Sequence, residues 1–223
     1  MILRAGQRVL HVPGMGVRVS SRAVEAGGAV DWSVWFDHCW IAKGAASLAA
    51  SYADLVGSQA LTTGNAPSWD TSTGWSFNGS SNYLDTGILW GAGTWSILVR
   101  FADYASGTTF AGVNNVTTLR IHKQGATARN YNNGSASLNN TVTSHAAGVM
   151  GLAGSAAYFN GASDGTLSGS TGAVMVYPIY IGARNNSGTA GNFVNAKVLT
   201  VGIKAATLDA SQMAAASAAM AAL

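Results

Sequence analysis

The chain has 223 residues, a length that suits one large β domain or two small domains; one domain with a terminal arm is expected, since all-β sandwiches often run past roughly 200 residues as a single unit. Charged residues make up only 9% of the chain, against roughly 25% in an average globular protein, and the net charge is +3. We therefore expect no nucleic-acid partner, because that function needs clustered lysine and arginine.

Residues 1–30 are predicted to form an extended basic arm. All arginines up to position 22 precede the first acidic residue, Glu25, and glycine-rich breaks with an early proline, Pro13, oppose compact folding. The arm is interpreted either as a solvated terminal strand or as a segment that docks on an acidic partner surface. For docking, the partner-binding residues are Ile2, Leu3, Arg4, Arg8, Val9, Leu10, Arg18 and Arg22.

The N-terminal sequence lacks the apolar run of a secretion signal, and no stretch is long enough to span a membrane. We expect synthesis in a cytoplasm and no membrane partner. Cys39 is the only cysteine, so no intrachain disulfide forms, and a buried, inert thiol is expected.

The segment "DWSVWFDHCWIA" is predicted to be a strand with an apolar stripe that packs in the core or at an interface: Trp32, Val34, Phe36, His38 and Trp40. "GAASLAASYADLVG" is interpreted as a connecting turn with room for a short helical piece, and residues 57–74 as a long surface loop.

From residue 75 onward the pattern predicts antiparallel β-strands. Apolar and polar positions alternate along 95–101, and Leu119 and Ile121 alternate with Arg120 and His122. Asn-Gly pairs at 78–79, 133–134 and 160–161 predict hairpin turns. A short C-terminal helix is predicted after the N-cap Asp209, with an apolar stripe of Met213, Ala216, Met220 and Leu223.

Four stretches in order resemble the laminin-G-like branch of the concanavalin A-like lectin/glucanase superfamily: "GWSFNGSSNYLDTG" (74–87), "TWSILVRF" (94–101), "AAYFNGA" (156–162) and "YIGARNNSGTAGNFVNAKVLTVGIKAATLDASQM" (180–213). The resemblance implies an antiparallel two-sheet jelly-roll sandwich for residues 31–223, one sheet having a shallow concave face. Asn195 departs from the family, which often has glycine there. The segment "WSVWFDHCWIAKGAASLAASYADL" is similar to part of bacteriophage virion proteins that carry this jelly roll.

Glucanases of this superfamily carry paired carboxylates in an E-x-D-x-E arrangement, and retaining hydrolysis needs two carboxyl groups about 5 to 5.5 Å apart. This chain has one glutamate, Glu25, in the arm, and no two aspartates lie two residues apart. No catalytic residue is predicted, and the protein is expected not to be an enzyme. The histidines show no metal-ligand spacing. No cofactor is expected, although Asp85, Asp103 and the asparagine-rich loops leave calcium open.

The first functional hypothesis is a bacteriophage virion structural protein assembled in the host cytoplasm. A capsid decoration protein comes first and a tail or fibre component second. The arm and the Trp32–Trp40 strand would anchor several copies to other virion proteins, such as the major capsid protein.

The alternative is a carbohydrate-binding, lectin-like module that attaches to host or surface glycans. Its candidate residues are amides and an arginine in predicted loops, with two aromatic rings for stacking on a sugar: Asn114, Asn115, Arg184, Asn185, Asn186, Trp90 and Tyr131. Ordinary turn chemistry is the other explanation for the asparagines.

Overall fold

The computed structural model describes residues 30–223, except 92–94, 116, 126–127, 142–144 and 173. The predicted arm lies outside the described residues apart from Val30, and so do all of its partner-binding residues. The extended form of the arm and its docking role stay predictions. Asp31–Leu223 form one compact unit.

The described part of the chain is almost entirely β-structure. After a 3-10 helix (Trp32–Val34), the helices are α1 (Leu48–Ser51) and α2 (Ala210–Ala222). The strands are β1 (His38–Ile41), β2 (Thr62–Asn65), β3 (Ser68–Asp70), β4 (Gly74–Asn78), β5 (Tyr83–Leu89), β6 (Ser96–Gly107), β7 (Thr109–Asn114), β8 (Thr118–Gln124), β9 (Ala128–Gly134), β10 (Ala136–Thr141), β11 (Gly148–Ala153), β12 (Ala156–Phe159), β13 (Ala162–Thr166), β14 (Pro178–Ile181), β15 (Arg184–Asn186), β16 (Thr189–Gly191) and β17 (Val194–Lys204).

The strands form two sheets. The first has the order β13-β12-β11-β6-β17-β4-β3, with β1 also paired to β17, and the second has the order β10-β9-β8-β7-β14-β5-β2. β15 joins the second sheet through a parallel pairing with β7, and β16 pairs with β15. Buried side chains of both sheets, among them Trp75, Phe101, Ile121 and Ile181, form a single core. The predicted all-β, antiparallel two-sheet sandwich is confirmed.

Helix α2 packs on the outer surface of the first sheet. Asp209 accepts a hydrogen bond from the amide of Gln212, and the Gln212 side chain accepts one from the amide of Asp209, which completes a capping box. Met213 lies so close to Gly151 of β11 that a Cβ there would be 2.6 Å from its Cε. The predicted helix, its cap and the buried positions Met213, Ala216 and Met220 are confirmed. Neither α-helix of the described residues is long and apolar enough to cross a bilayer.

The segment from Trp32 to Trp40 is not one strand, so this prediction is wrong. The Asp31 side chain accepts from the amide and hydroxyl of Ser33 and caps the 3-10 helix, which breaks the alternation. Val34 is 53% exposed, whereas Trp32, Phe36 and Trp40 are buried. Trp40 belongs to the core between the sheets, whereas the ring of Phe36 packs against Gly202 of β17; the proposed role of this segment in anchoring other subunits stays a prediction.

Two further predictions about connections need correction. Residues 57–74 are not only loop, because they contain β2 and β3. Asn78-Gly79 is not a hairpin turn, because β4 belongs to the first sheet and β5 to the second. The Asn78 side chain accepts hydrogen bonds from the amides of Ser80, Ser81 and Asn82, which turns the chain toward the other sheet.

The other Asn-Gly pairs do form hairpins, as predicted. Asn133-Gly134 closes β9 onto β10, and Asn160-Gly161 closes β12 onto β13 with positive φ at both residues, 51° and 80°. The expected buried thiol is also confirmed, since Cys39 is fully buried and burial raises its pKa.

Candidate functional site

Polar side chains of the second sheet lie on its outer surface, opposite the core. Leu119 and Ile121 of β8 point into the core, so the side chains that alternate with them, Arg120 and His122, point away from it. The strand register places side chains from β7, β9 and β15 beside them. We call this surface the polar face and define it by six residues: Asn114, Arg120, His122, Asn132, Arg184 and Asn186.

Gly112 of β7 lies at the centre of the polar face. It is paired with Arg120 of β8 on one side, and with Tyr180 of β14 and Arg184 of β15 on the other. A Cβ at Gly112 would lie 3.3 Å from Cγ of Arg120 and 2.9 Å from the carbonyl oxygen of Leu119. The position is therefore closely packed, and the lack of a side chain lets the stem of Arg120 lie against β7.

Neither arginine has an acidic partner in the part of the chain that the structure describes. The ion pairs of the described residues join His38 to Asp54, Arg129 to Asp164, Lys197 to Asp103 and Lys204 to Asp37. Burial lowers the pKa of Arg120 to about 10, and the positive charge of Arg184 acts in the same direction. Burial also lowers the pKa of Arg184. The face therefore holds two positive charges that repel each other and are not neutralised.

His122 is the most deeply buried residue of the polar face, with only 4% of its surface exposed. Burial and, to a smaller extent, the positive charges of Arg120 and Arg184 lower its pKa to about 3, while a contact with Asn132 acts in the opposite direction. The imidazole is therefore neutral at physiological pH, so its two ring nitrogens provide one donor and one acceptor.

Five buried polar atoms of the polar face make no hydrogen bond of good geometry within the protein: Nε of Arg120, Nε of Arg184, Oδ1 of Asn186, and Nδ1 of His122 and Oδ1 of Asn132, whose side chains contact each other. Other such atoms lie elsewhere, at Tyr52, Trp90, Asn133 and Thr200. Each buried polar atom left unpaired costs about 1–3 kcal/mol, and native proteins contain few of them. Such a group of atoms on one surface is typical of a site that a ligand completes.

The structure brings together three of the residues predicted for glycan binding. Asn114 and Asn186 are register partners, and Arg184 is two residues before Asn186 on the same side of β15. Asn115 lies in the turn between β7 and β8, where its amide donates to the carbonyl of Thr117.

The side chains of the other three predicted glycan-binding residues are buried inside the protein. Asn185 is fully buried, donates to the carbonyl of Pro178 and accepts from the amide of Gly188, because it alternates with its neighbours and points inward. Trp90 and Tyr131 are fully buried, so neither ring is exposed for stacking on a sugar as expected. Their apolar surfaces are part of the core, and the Tyr131 hydroxyl donates to Asp164.

Sequence reasoning missed three residues of the face, namely Arg120, His122 and Asn132. The alternation of apolar and polar residues along β8 predicts that Arg120 and His122 lie on the sheet surface opposite to the core residues Leu119 and Ile121. Asn132 alternates in the same way with the buried Tyr131 and Asn133.

The residues left open for calcium do not form a site with each other. Asp85 accepts from the amide of Gly87 and lies on the second sheet, whereas Asp103 pairs with Lys197 at 2.6 Å. In the part of the chain that the structure describes, no three His, Cys, Asp or Glu side chains lie close enough together to hold a metal ion.

No family model matches the sequence, and no curated protein sequence matches it. Among solved structures, the chain is similar to a mutant Trypanosoma rangeli sialidase that displays trans-sialidase activity, with a TM-score of 0.59, 13% identity and coverage of 84% of this chain and 33% of that one.

Two further solved structures are similar. The T. rangeli sialidase in complex with sialic acid has a TM-score of 0.56 and 12% identity, with coverage of 81% of this chain and 32% of that one. For the NanB sialidase of Streptococcus pneumoniae the values are 0.51 and 10%, with coverage of 65% and 27%. The chain spans about a third or less of the length of these sialidase chains. The likeness shows a β-sandwich fold.

These comparisons overturn the prediction that the protein is not an enzyme. The solved chains that contain a similar sandwich are sialidases, one of them with trans-sialidase activity. The lack of a glucanase-type carboxylate pair is therefore not a sufficient ground for excluding catalysis. At 10–13% identity the likeness concerns the fold alone and assigns no catalytic residue to this chain.

Proposed function

We propose that residues 31–223 form a carbohydrate-binding, lectin-like module of the concanavalin A-like kind, and that the sugar binds on the polar face. The observation that carries this proposal is the group of buried, unpaired nitrogen and oxygen atoms on that face. A ligand that supplies their missing hydrogen bonds recovers the free energy that each unpaired atom costs.

The chemistry of these atoms suits a sugar. The Nε atoms of Arg120 and Arg184 are donors, and the Oδ1 atoms of Asn132 and Asn186 are acceptors. A sugar hydroxyl both donates and accepts, so neighbouring hydroxyls on one ring can pair with both kinds of atom. A purely apolar ligand would leave all of these groups unpaired.

An aromatic pair borders the polar face. Tyr180 lies beside Gly112 in the register, and its ring stacks on that of Tyr83 with 4.6 Å between centroids. Tyrosine combines an apolar ring with a polar hydroxyl, a combination that recurs in small-molecule sites. Tyr180 is buried whereas Tyr83 is half-buried, so Tyr83 is the ring of this pair that a sugar can contact.

The comparisons support a sugar ligand. A T. rangeli sialidase with a similar sandwich is solved in complex with sialic acid.

The virion hypothesis depends on the arm, residues 1–30, so multi-copy assembly, virion partners and a place on the particle stay predictions. These three virion predictions are tested by looking for the protein on purified bacteriophage particles.

The proposed function is tested by measuring glycan binding to the full chain and to single alanine variants. We expect Asn132→Ala and Asn186→Ala each to weaken sugar binding by about tenfold, because each removes one acceptor from the polar face. Thermal unfolding of Asn186→Ala should stay close to that of the parent, since its deleted Oδ1 atom has no protein partner, whereas Asn132→Ala also loses a contact with His122.

The matched control is Asn195→Ala, which removes an exposed asparagine from β17 of the first sheet. This variant should bind sugar as the parent does. The proposal fails if a broad panel of neutral and acidic glycans gives no binding, or if the two polar-face variants bind as well as the control.

A further inference from the structure

We infer that the sugar bound on the polar face is acidic, with its carboxylate held between Arg120 and Arg184 above Gly112. This inference rests on the proposed function and specifies its ligand class. It starts from the two arginines, which flank one glycine in the register and have no acidic partner among the ion pairs of the described residues.

Two neighbouring positive charges that are partly removed from water are unfavourable unless an anion joins them. Among the described residues, no carboxylate forms an ion pair with either arginine. The nearest described acidic residue by register is Asp85, which pairs with Tyr180 and accepts a hydrogen bond from the amide of Gly87. Because Tyr180 separates Asp85 from Gly112 in the register, we assign the counter-charge for the arginines to a ligand.

His122 belongs to the same polar group. Its ring is more than nine-tenths buried, lies two residues from Arg120 on the same side of β8 and contacts the side chain of Asn132. A neutral imidazole can pair with a hydroxyl of the sugar that carries the acid group. The site therefore combines a place for an anion with a place for a neighbouring hydroxyl.

The guanidinium group favours a carboxylate in particular. Its planar fork of N–H donors matches the two oxygens of a carboxylate, and such charge-assisted hydrogen bonds are about twice as strong as neutral ones. Because Gly112 lies between the two arginines in the register, their guanidinium groups can reach one planar carboxylate from opposite sides. A sulfated sugar carries the same charge on a tetrahedral group and is the alternative source to be distinguished.

The experiment compares matched sugars with the full chain by calorimetry. The pairs are cellobiouronic acid against cellobiose, and sialyllactose against lactose, with a sulfated lactose as the third arm. We expect at least one carboxylated member to bind about tenfold or more tightly than its neutral partner, because it gains charge-assisted hydrogen bonds. The preference should shrink as salt concentration rises.

The variants Arg120→Gln and Arg184→Gln should each remove most of the preference while weak binding of the neutral sugar remains. Arg184→Lys keeps the charge but not the fork, so it should retain part of the preference. The control is Lys43→Gln, which removes one positive charge from the loop beside β17 and should change nothing. Because the glutamine variants remove buried, unpaired charge, their thermal unfolding temperatures should not fall.

The outcomes separate this inference from the proposed function. Binding of neutral and carboxylated sugars with equal affinity would overturn the acidic ligand and leave the carbohydrate-binding proposal standing. Tighter binding of the sulfated sugar than of every carboxylated one would overturn the carboxylate. No binding of any sugar would overturn both.

Discussion

Replacing His122 with glutamine should change how the stability of the protein depends on pH. The imidazole is 4% exposed, and its pKa is lowered to about 3 from the ordinary value of 6.5. Below pH 6.5 the unfolded chain takes up a proton at this residue that the folded protein excludes until about pH 3. The free energy of unfolding therefore falls as the pH falls through this interval, by about 1.4 kcal/mol per pH unit for this group.

The expected effect is the difference between the parent and the His122→Gln variant in how much their free energy of unfolding changes with pH. Between about pH 7.5 and about pH 4.5, His122 alone should remove about 2.5 kcal/mol from the free energy of unfolding, and glutamine should remove none of it. Aspartates with lowered pKa values, such as Asp54 and Asp164, add a loss on acidification that is common to both proteins. Urea unfolding followed by tryptophan fluorescence at the two pH values measures the difference. Equal losses in parent and variant would refute the reasoning.

Two more predictions concern stability. Asp164→Asn should lower the free energy of unfolding by about 3–5 kcal/mol in urea unfolding, because it leaves the guanidinium of Arg129, 2.8 Å from that carboxylate, buried and unpaired. Asp103→Asn breaks an exposed ion pair and should cost less than about 1 kcal/mol, so similar losses in the two variants would contradict the first prediction. Asp209→Ala should cost about 1 kcal/mol in thermal unfolding, because the amide of Gln212 loses its cap; an unchanged transition would show that the cap contributes nothing.

The fold was predictable from local patterns wherever the pattern itself decides the structure. Alternation along β8 predicts both the strand and the separation of Arg120 from the core, and Asp209 predicts the start of α2. The same local sequence has two outcomes at the Asn-Gly pairs. Asn160-Gly161 makes a hairpin, whereas Asn78-Gly79 leads to the other sheet, because strand partners far along the chain decide which strand follows.

The candidate site was less predictable because it depends on register. The local sequence around Gly112 or Arg184 does not show that the two residues pair in the sheet, since seven other strands of the described chain lie between β7 and β15. The burial of Trp90 and Tyr131 is equally non-local, because it depends on what the second layer places over them. Asn185 was assigned to a loop, and only its place in a strand shows that it points opposite to Asn186.

The connection at Asn78 has a consequence for how the protein unfolds. The chain passes from the first sheet to the second between β4 and β5, returns at β6 and passes back again at β7. Neither sheet is therefore built from a continuous piece of chain, so unfolding of strands in one sheet also disrupts the strands that are connected to them in the other. The sandwich should melt as one cooperative unit and fold slowly, since most of its pairings join distant parts of the sequence.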